Sequence, residues 1–129
     1  MRQENLDFEI TFYEDLVRDK PDFVDALVAL GDAYSKKGFY EKGLAIDKKL
    51  LEIDPQEPTF HYNLSCDYSL LKEPDSCLES LAEAIRLGYT DLEHIEKDPD
   101  LDYVRHNPRF KELLASIRAY PPERVSSDE

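Results

Sequence analysis

The two cysteines and three histidines are the side chains of this 129-residue sequence best suited to metal binding or nucleophilic chemistry. Cys66 and Cys77 are eleven positions apart, and a zinc site joining them to His61 has none of the usual ligand spacings. The sequence holds no phosphate-binding glycine loop, no His-Glu-x-x-His and no nucleophile elbow. We therefore expect no cofactor, no metal ligand and no catalytic residue, and an enzyme or metal protein is the function we favour least.

Acidic residues dominate the charge of the chain. Sixteen Lys and Arg stand against 29 Asp and Glu, which gives a formal net charge of −13. This charge keeps a protein in solution and favours encounters with basic partners, while it repels nucleic-acid phosphates and anionic membranes. The N-terminus has no apolar signal core, and no apolar run approaches a membrane span. Together with two cysteines that make no disulfide framework, these features predict a cytoplasmic protein with free thiols.

A repeated stretch positions these side chains. When residues 24–57 are shifted by 34 positions, the same apolar sites are filled again, and a period of 34 is typical of a helix-turn-helix repeat. The matching pairs are Leu30 with Leu64, Tyr34 with Tyr68, Leu44 with Leu78, and Leu51 with Ile85. The chain is therefore expected to be all-α, with a half repeat over 6–21, repeats over 24–57 and 58–89, and capping helices over 90–119.

Proline, glycine and capping residues set the expected helix boundaries. Pro21 ends the first helix, Gly38 supplies a left-handed cap, and the turn at Lys72 must form without glycine. A capping box at Thr90 opens the first of three short C-terminal helices. The predicted helices cover 6–20, 22–37, 40–53, 59–71, 75–87, 91–97, 99–105 and 108–119.

With both repeats aligned, the sequence resembles tetratricopeptide repeat (TPR) proteins. The residues that carry the resemblance are Leu30, Gly31, Tyr34 and Pro55 in one repeat and Leu64, Tyr68, Leu81 and Ala84 in the next. The segment DPDLDYVRHNPRFKELL is similar to one that often closes small bacterial members of this family. The resemblance implies a right-handed superhelix of antiparallel helix pairs, a TPR-like α-α solenoid, whose concave groove binds an extended peptide or a partner helix.

Among the side chains that helical spacing places on the groove side, we expect eight to contact the ligand. They are Asp25, Val28, Asp32 and Lys36 in the first repeat and Tyr62, Asn63, Cys66 and Ser69 in the second. The resemblance implies that Asn63 bonds a ligand's backbone amide, and two aspartates one above the other would attract Lys or Arg. A charged helix face that is merely solvated is the alternative. We reject the family's grip on a C-terminal carboxylate, because Val28 and Asp32 stand at two of the sites that it needs.

Two residues depart from the family pattern. Asp47 stands where a bulky apolar residue is usual, and Leu50 where alanine is usual. We expect Asp47 to be partly buried, with a hydrogen bond from a tyrosine or from His61, whereas a functional carboxylate is the alternative. Cys77 is expected in the core, and Cys66 is expected to face the groove, open to modification.

The two ends of the array complete the prediction. Phe8, Ile10 and Phe12 of the first helix are expected to leave an apolar patch, which suggests a surface for a second copy. Residues 90–119 are expected to cap the helix over 75–87, since terminal repeats need a polar outer face. One domain is thus expected over 1–119, followed by a mobile tail over 120–129.

The sequence therefore favours a non-catalytic adaptor that binds a protein or peptide segment, one carrying Lys or Arg, in a concave groove. The alternative is a self-assembling structural module, a homodimer formed through residues 6–17. Neither function involves nucleic acid or membrane.

Overall fold

The computed structural model describes residues 2–119, and their side chains from residue 5 onward. These residues form seven α-helices and one 3-10 helix without any strand, so the all-α helical-repeat prediction is confirmed. The helices are α1 (Arg2–Asp19), α2 (Val24–Lys37), α3 (Tyr40–Ile53), α4 (Pro58–Leu70), α5 (Pro74–Arg86), α6 (Leu92–Lys97), the 3-10 helix (Pro99–Val104) and α7 (Pro108–Ala119). The chain divides into two compact units, Met1–Gln56 and Glu57–Glu129, within one residue of the boundary between the sequence repeats.

Local signals account for most helix ends. Gly38 is the left-handed cap of α2, with φ at +90°, and Lys72 turns the chain with φ at +62° in place of a glycine, as predicted. The capping box at Thr90 is wrong, because Asp91 caps α6 and accepts a hydrogen bond from the backbone N–H of His94 at 3.1 Å. The prediction of a mobile tail over 120–129 lies outside the described residues.

In the first unit, α1 packs on α2 and α2 packs on α3. The buried cluster between α1 and α2 contains Ile10, Leu30, Ala33 and Tyr34. The Tyr34 hydroxyl donates to Glu14 Oε2 at 2.5 Å, and Lys37 Nζ lies 2.6 Å from Asp7 Oδ1. Apolar burial and two polar links therefore fix α1 to the first helix of the repeat.

Gly31 allows α2 and α3 to approach closely. A Cβ atom at this position would lie 3.2 Å from Asp47 Oδ1, which is tighter than ordinary contact, and 3.4 Å from Ile46 Cγ2. Asp47 is 7% exposed, so the partial burial expected from the sequence is nearly complete. The glycine, which costs about 1 kcal/mol in a helix relative to alanine, is therefore explained by the carboxylate opposite.

Gly31→Ala should depend on Asp47. Alanine gains about 1 kcal/mol of helix propensity, but its methyl group crowds the Asp47 carboxylate. We expect Gly31→Ala to be less favourable by about 1 kcal/mol in the wild-type background than in Asp47→Ala, since residues in contact are coupled. Urea unfolding of the four chains measures this difference, and equal effects in both backgrounds would contradict the contact.

The second unit is a helix pair closed by the C-terminal segment. α4 packs on α5, the 3-10 helix packs on both, and α7 packs on α5 and α6. Its buried core consists of Tyr62, Cys66, Cys77, Leu78, Leu81, Ala84, Ile95, Leu101, Val104, Phe110, Leu114 and Ile117. The cap predicted over α5 is thus present, and it also covers the face of α4 that the sequence predicts to be exposed.

The cap should be required for a packed core. Removing residues 90–129 uncovers Leu78, Leu81 and Tyr62, which the cap buries. We expect the shortened chain to bind ANS and to lose cooperative thermal unfolding, as a chain without fixed packing does. Far-ultraviolet and near-ultraviolet circular dichroism would separate retained helix from lost packing.

Two substitutions in the 3-10 helix provide a matched control. Leu101 is fully buried and Tyr103 is 53% exposed. Leu101→Asp should destabilise severely because it buries an unpaired charge, whereas Tyr103→Asp should change stability by no more than about 0.5 kcal/mol. A cooperative, ANS-negative shortened chain, or a stable Leu101→Asp variant, would show that the cap is dispensable.

Candidate functional site

The exposed face of α2 carries four of the predicted groove residues. Asp25, Val28, Asp32 and Lys36 are all exposed, and Val28 is 39% exposed although it is apolar. Lys36 Nζ lies 2.9 Å from Asp32 Oδ2, one helical turn away. The hydrogen bond to Asp32 raises the pKa of Lys36. This face therefore presents one apolar side chain between charged groups that remain accessible to a partner.

The corresponding face of α4 is covered. Tyr62 is 3% exposed, Cys66 8% and Ser69 1%, while Asn63 is half-buried. The 3-10 helix packs on α4 and fills this side. The prediction that Tyr62, Cys66 and Ser69 line an open groove is therefore wrong, as is the prediction that Cys66 is open to modification.

Asp98 joins the C-terminal segment to α4. Its Oδ2 accepts a hydrogen bond from the Tyr62 hydroxyl at 2.6 Å and a weaker one from the Cys66 thiol at 3.7 Å. Its Oδ1 accepts from the backbone N–H of Asp100 at 3.0 Å, which caps the 3-10 helix. His94 Nε2 lies 3.3 Å from Oδ2. One carboxylate thus accepts hydrogen bonds from α4 and the 3-10 helix and lies beside His94 of α6, and hydrogen bonds to a charged acceptor are the stronger kind.

Aromatic stacking supports the same junction. The rings of Tyr62 and Tyr89 are parallel within 3°, with centroids 4.2 Å apart, and the His94 ring is 5.6 Å from that of Tyr62. Sequence reasoning missed Tyr89 and His94 as partners of Tyr62. The sequence predicts that the segment beginning DPDL closes the array, but the contact between Tyr62 and Asp98 spans 36 positions, where helical periodicity gives no signal.

Burial is the main cause of the raised pKa values in this cluster. Burial and the neighbouring Cys66 and Asp98 raise the pKa of Tyr62, and burial raises the pKa of Tyr89 to about 12. Burial, followed by Asp98 and Asp100, raises the pKa of the Cys66 thiol well above its usual range. A protonated, buried thiol is a poor nucleophile, so Cys66 fits a structural role at this junction.

Cys66, Asp98 and Asp100 are close enough together to be considered as metal ligands. One ligand atom from each lies within 4.8 Å of the others. A metal ion would have to displace the thiol proton and compete with the Tyr62 hydroxyl and the Asp100 N–H for Asp98. The hydrogen bonds that Asp98 accepts from Tyr62, Cys66 and Asp100 indicate that this cluster is a structural junction.

The protein should lose stability in alkali. The pKa values of Tyr62, Tyr89 and Cys66 are raised in the folded state, so the unfolded chain releases these protons first as pH rises. Their contribution is complete below the unfolded values, about 8.5 for Cys and about 10 for Tyr, and is lost above them. Urea unfolding at neutral pH and at about pH 11 should therefore show a falling free energy of unfolding.

Tyr62→Phe tests the origin of this dependence. We expect a loss of about 1.5–3 kcal/mol at neutral pH, the usual value for a hydrogen bond to a charged group. The gap to wild type should narrow above about pH 10, because phenylalanine has no proton to release. The exposed Tyr103→Phe serves as control, and a gap that stays constant with pH would exclude Tyr62 as a source of the alkaline loss.

Comparison with known proteins gives a partial match. No family model matches the chain. Over 87 residues the sequence is 36% identical to a curated chloroplastic protein from Arabidopsis thaliana, a match that covers 65% of this chain and 26% of the Arabidopsis protein. The chain therefore spans about a quarter of the length of that relative, and the likeness does not assign a family. Within the described residues, no helix has both the length and the apolar composition that a membrane span requires.

Proposed function

We propose that this chain is a non-catalytic, TPR-like interaction module that binds a protein or peptide segment on the exposed face of α2. The observation that supports the proposal most is the contrast between two equivalent helices. Asp25, Val28, Asp32 and Lys36 lie open on α2, whereas the chain's own C-terminal segment covers α4. The proposed site therefore excludes the buried Tyr62, Cys66 and Ser69, and it does not include the half-buried Asn63.

The chemistry of this face favours a segment with two basic residues. Asp25 and Asp32 are seven positions apart, so about 10.5 Å separates them along the helix. A segment in the polyproline II conformation advances about 9 Å in three residues and returns to the same face, so a Lys-x-x-Lys pattern places one ammonium group over each carboxylate. A small apolar residue between the two would contact Val28. Binding opens the exposed Asp32–Lys36 pair, and such pairs contribute only about 0–1 kcal/mol.

The proposal also includes the cellular compartment of the protein. Cys66 and Cys77 are free and buried, as expected of a protein kept in a reducing environment. We infer a cytoplasmic location on that ground.

A labelled Lys-x-x-Lys peptide with a central valine tests the site directly. Asp25→Lys/Asp32→Lys should weaken binding by on the order of tenfold or more, since like charges then face each other. Glu41→Lys/Glu52→Lys on α3 is a matched control, because it makes the same charge change at two exposed positions on one face. Equal loss in both variants, or no binding by wild type, would overturn the proposed site.

A second candidate function, self-association through α1, rests on a separate observation. Phe8 is 72% exposed and Phe12 49% exposed, and their rings stack with centroids 6.4 Å apart. Exposed aromatic pairs are typical of interaction surfaces. Phe8→Glu/Phe12→Glu should abolish self-association and leave peptide binding on α2 unchanged.

A further inference from the structure

A cationic pocket lies in the second unit of this acidic protein. It has a volume of about 340 Å³ and is lined by Glu96, Arg105, Phe110, Lys111, Leu114 and Arg118. Phe110 and Leu114 are 2% and 6% exposed and form its apolar floor. The lining carries three cations and one carboxylate, a net charge of +2 in a chain whose total is −13.

The cations of the pocket differ in how firmly they are held. Arg105 pairs with Asp102 at 2.9 Å and donates to the backbone oxygens of Glu96 and Asp98, and its guanidinium carbon lies 5.8 Å from the centre of the Phe110 ring. Arg118 pairs with Glu96. Lys111 is exposed and has no ion-pair partner among the described residues. The pocket therefore has a fixed wall at Arg105 and an ammonium group available to an anion.

The face of α1 that carries Phe8 and Phe12 has the opposite charge. α1 contains six carboxylates and two arginines, a net charge of −4. Asp15 and Asp19 follow Phe12 by three and seven positions, so both lie on the phenylalanine side of the helix. Asp15 is paired with Arg18 at 2.7 Å, but both side chains are more than half exposed, so this pair opens readily.

We propose that α1 of one copy docks in the Phe110–Leu114 pocket of another copy, head to tail. Phe8 or Phe12 would cover the apolar floor, and Asp15 and Asp19 would meet Lys111 and Arg118. This inference rests on the second candidate function, self-association, and is independent of the α2 site. A symmetric α1–α1 pair is disfavoured, because it would bring two helices of charge −4 together.

Such a contact uses a different surface on each partner. The copies at the two ends of an assembly therefore keep a free α1 face or a free pocket. The assembly grows with concentration unless it closes into a ring. The charged rim makes the contact sensitive to salt, since the Debye length falls to about 3 Å at about 1 M.

Sedimentation velocity on two complementary variants tests the proposal. Phe8→Glu/Phe12→Glu removes the α1 half, and Lys111→Glu/Arg118→Glu removes the pocket half. Wild type should form a closed dimer or larger species as concentration rises and dissociate at high salt, while each variant alone should remain a monomer. An equimolar mixture of the two should form a 1:1 dimer and nothing larger, because one intact half remains on each.

Controls and contrary outcomes separate the alternatives. Lys97→Glu/Arg109→Glu makes the same charge change outside the pocket and should assemble like wild type, and circular dichroism should show unchanged helix in all variants. A wild type that stays monomeric, or a mixture that does, overturns the proposal. So does a dimer abolished by the α1 variant and untouched by the pocket variant, which indicates a symmetric α1 pair. Peptide binding on α2 by the same variants reports separately on the adaptor function.

Discussion

The second unit depends on one carboxylate. Asp98 accepts hydrogen bonds from the Tyr62 hydroxyl, the Cys66 thiol and the backbone of Asp100, and so it binds the C-terminal segment to α4 and starts the 3-10 helix at once. With this junction in place, Leu101 and Val104 are fully or almost fully buried. Polar bonds set the register of the segment, and apolar burial supplies most of the free energy. The cap needs both contributions to adopt a single arrangement. Apolar contacts alone tolerate other registers, whereas buried polar groups are costly in any register that removes their partners.

The first unit rests on a different constraint, the distance between two helices. Gly31 has no side chain where Asp47 and Ile46 pass, so α2 and α3 approach to a distance at which even an alanine methyl group would crowd the Asp47 carboxylate. On the opposite side of α2, the cluster around Ile10 and Tyr34 holds α1 in place. With both sides of α2 packed, only its charged face remains open, and that face is the proposed binding site.

Regular features of the fold were predictable from the sequence. A period of 34 leads directly to the helix pairs, and Pro21 and Gly38 lead to their turns because each acts on the backbone within a few residues. The site was predictable only in part. Asp25 and Asp32 lie on an exposed face as helical spacing predicts, but Tyr62, with the same kind of spacing, is buried. The difference comes from Asp98 and Tyr89, which pack on Tyr62 from 36 and 27 positions away, where helical periodicity carries no information.

The closure through Asp98 is also self-contained. The Tyr62, Cys66 and Asp100 donors that it accepts from lie between residues 62 and 100, inside the second unit. Inserting or duplicating a whole repeat before residue 57 would change none of these contacts. The contacts that close the second unit therefore place no constraint on how many repeats precede it.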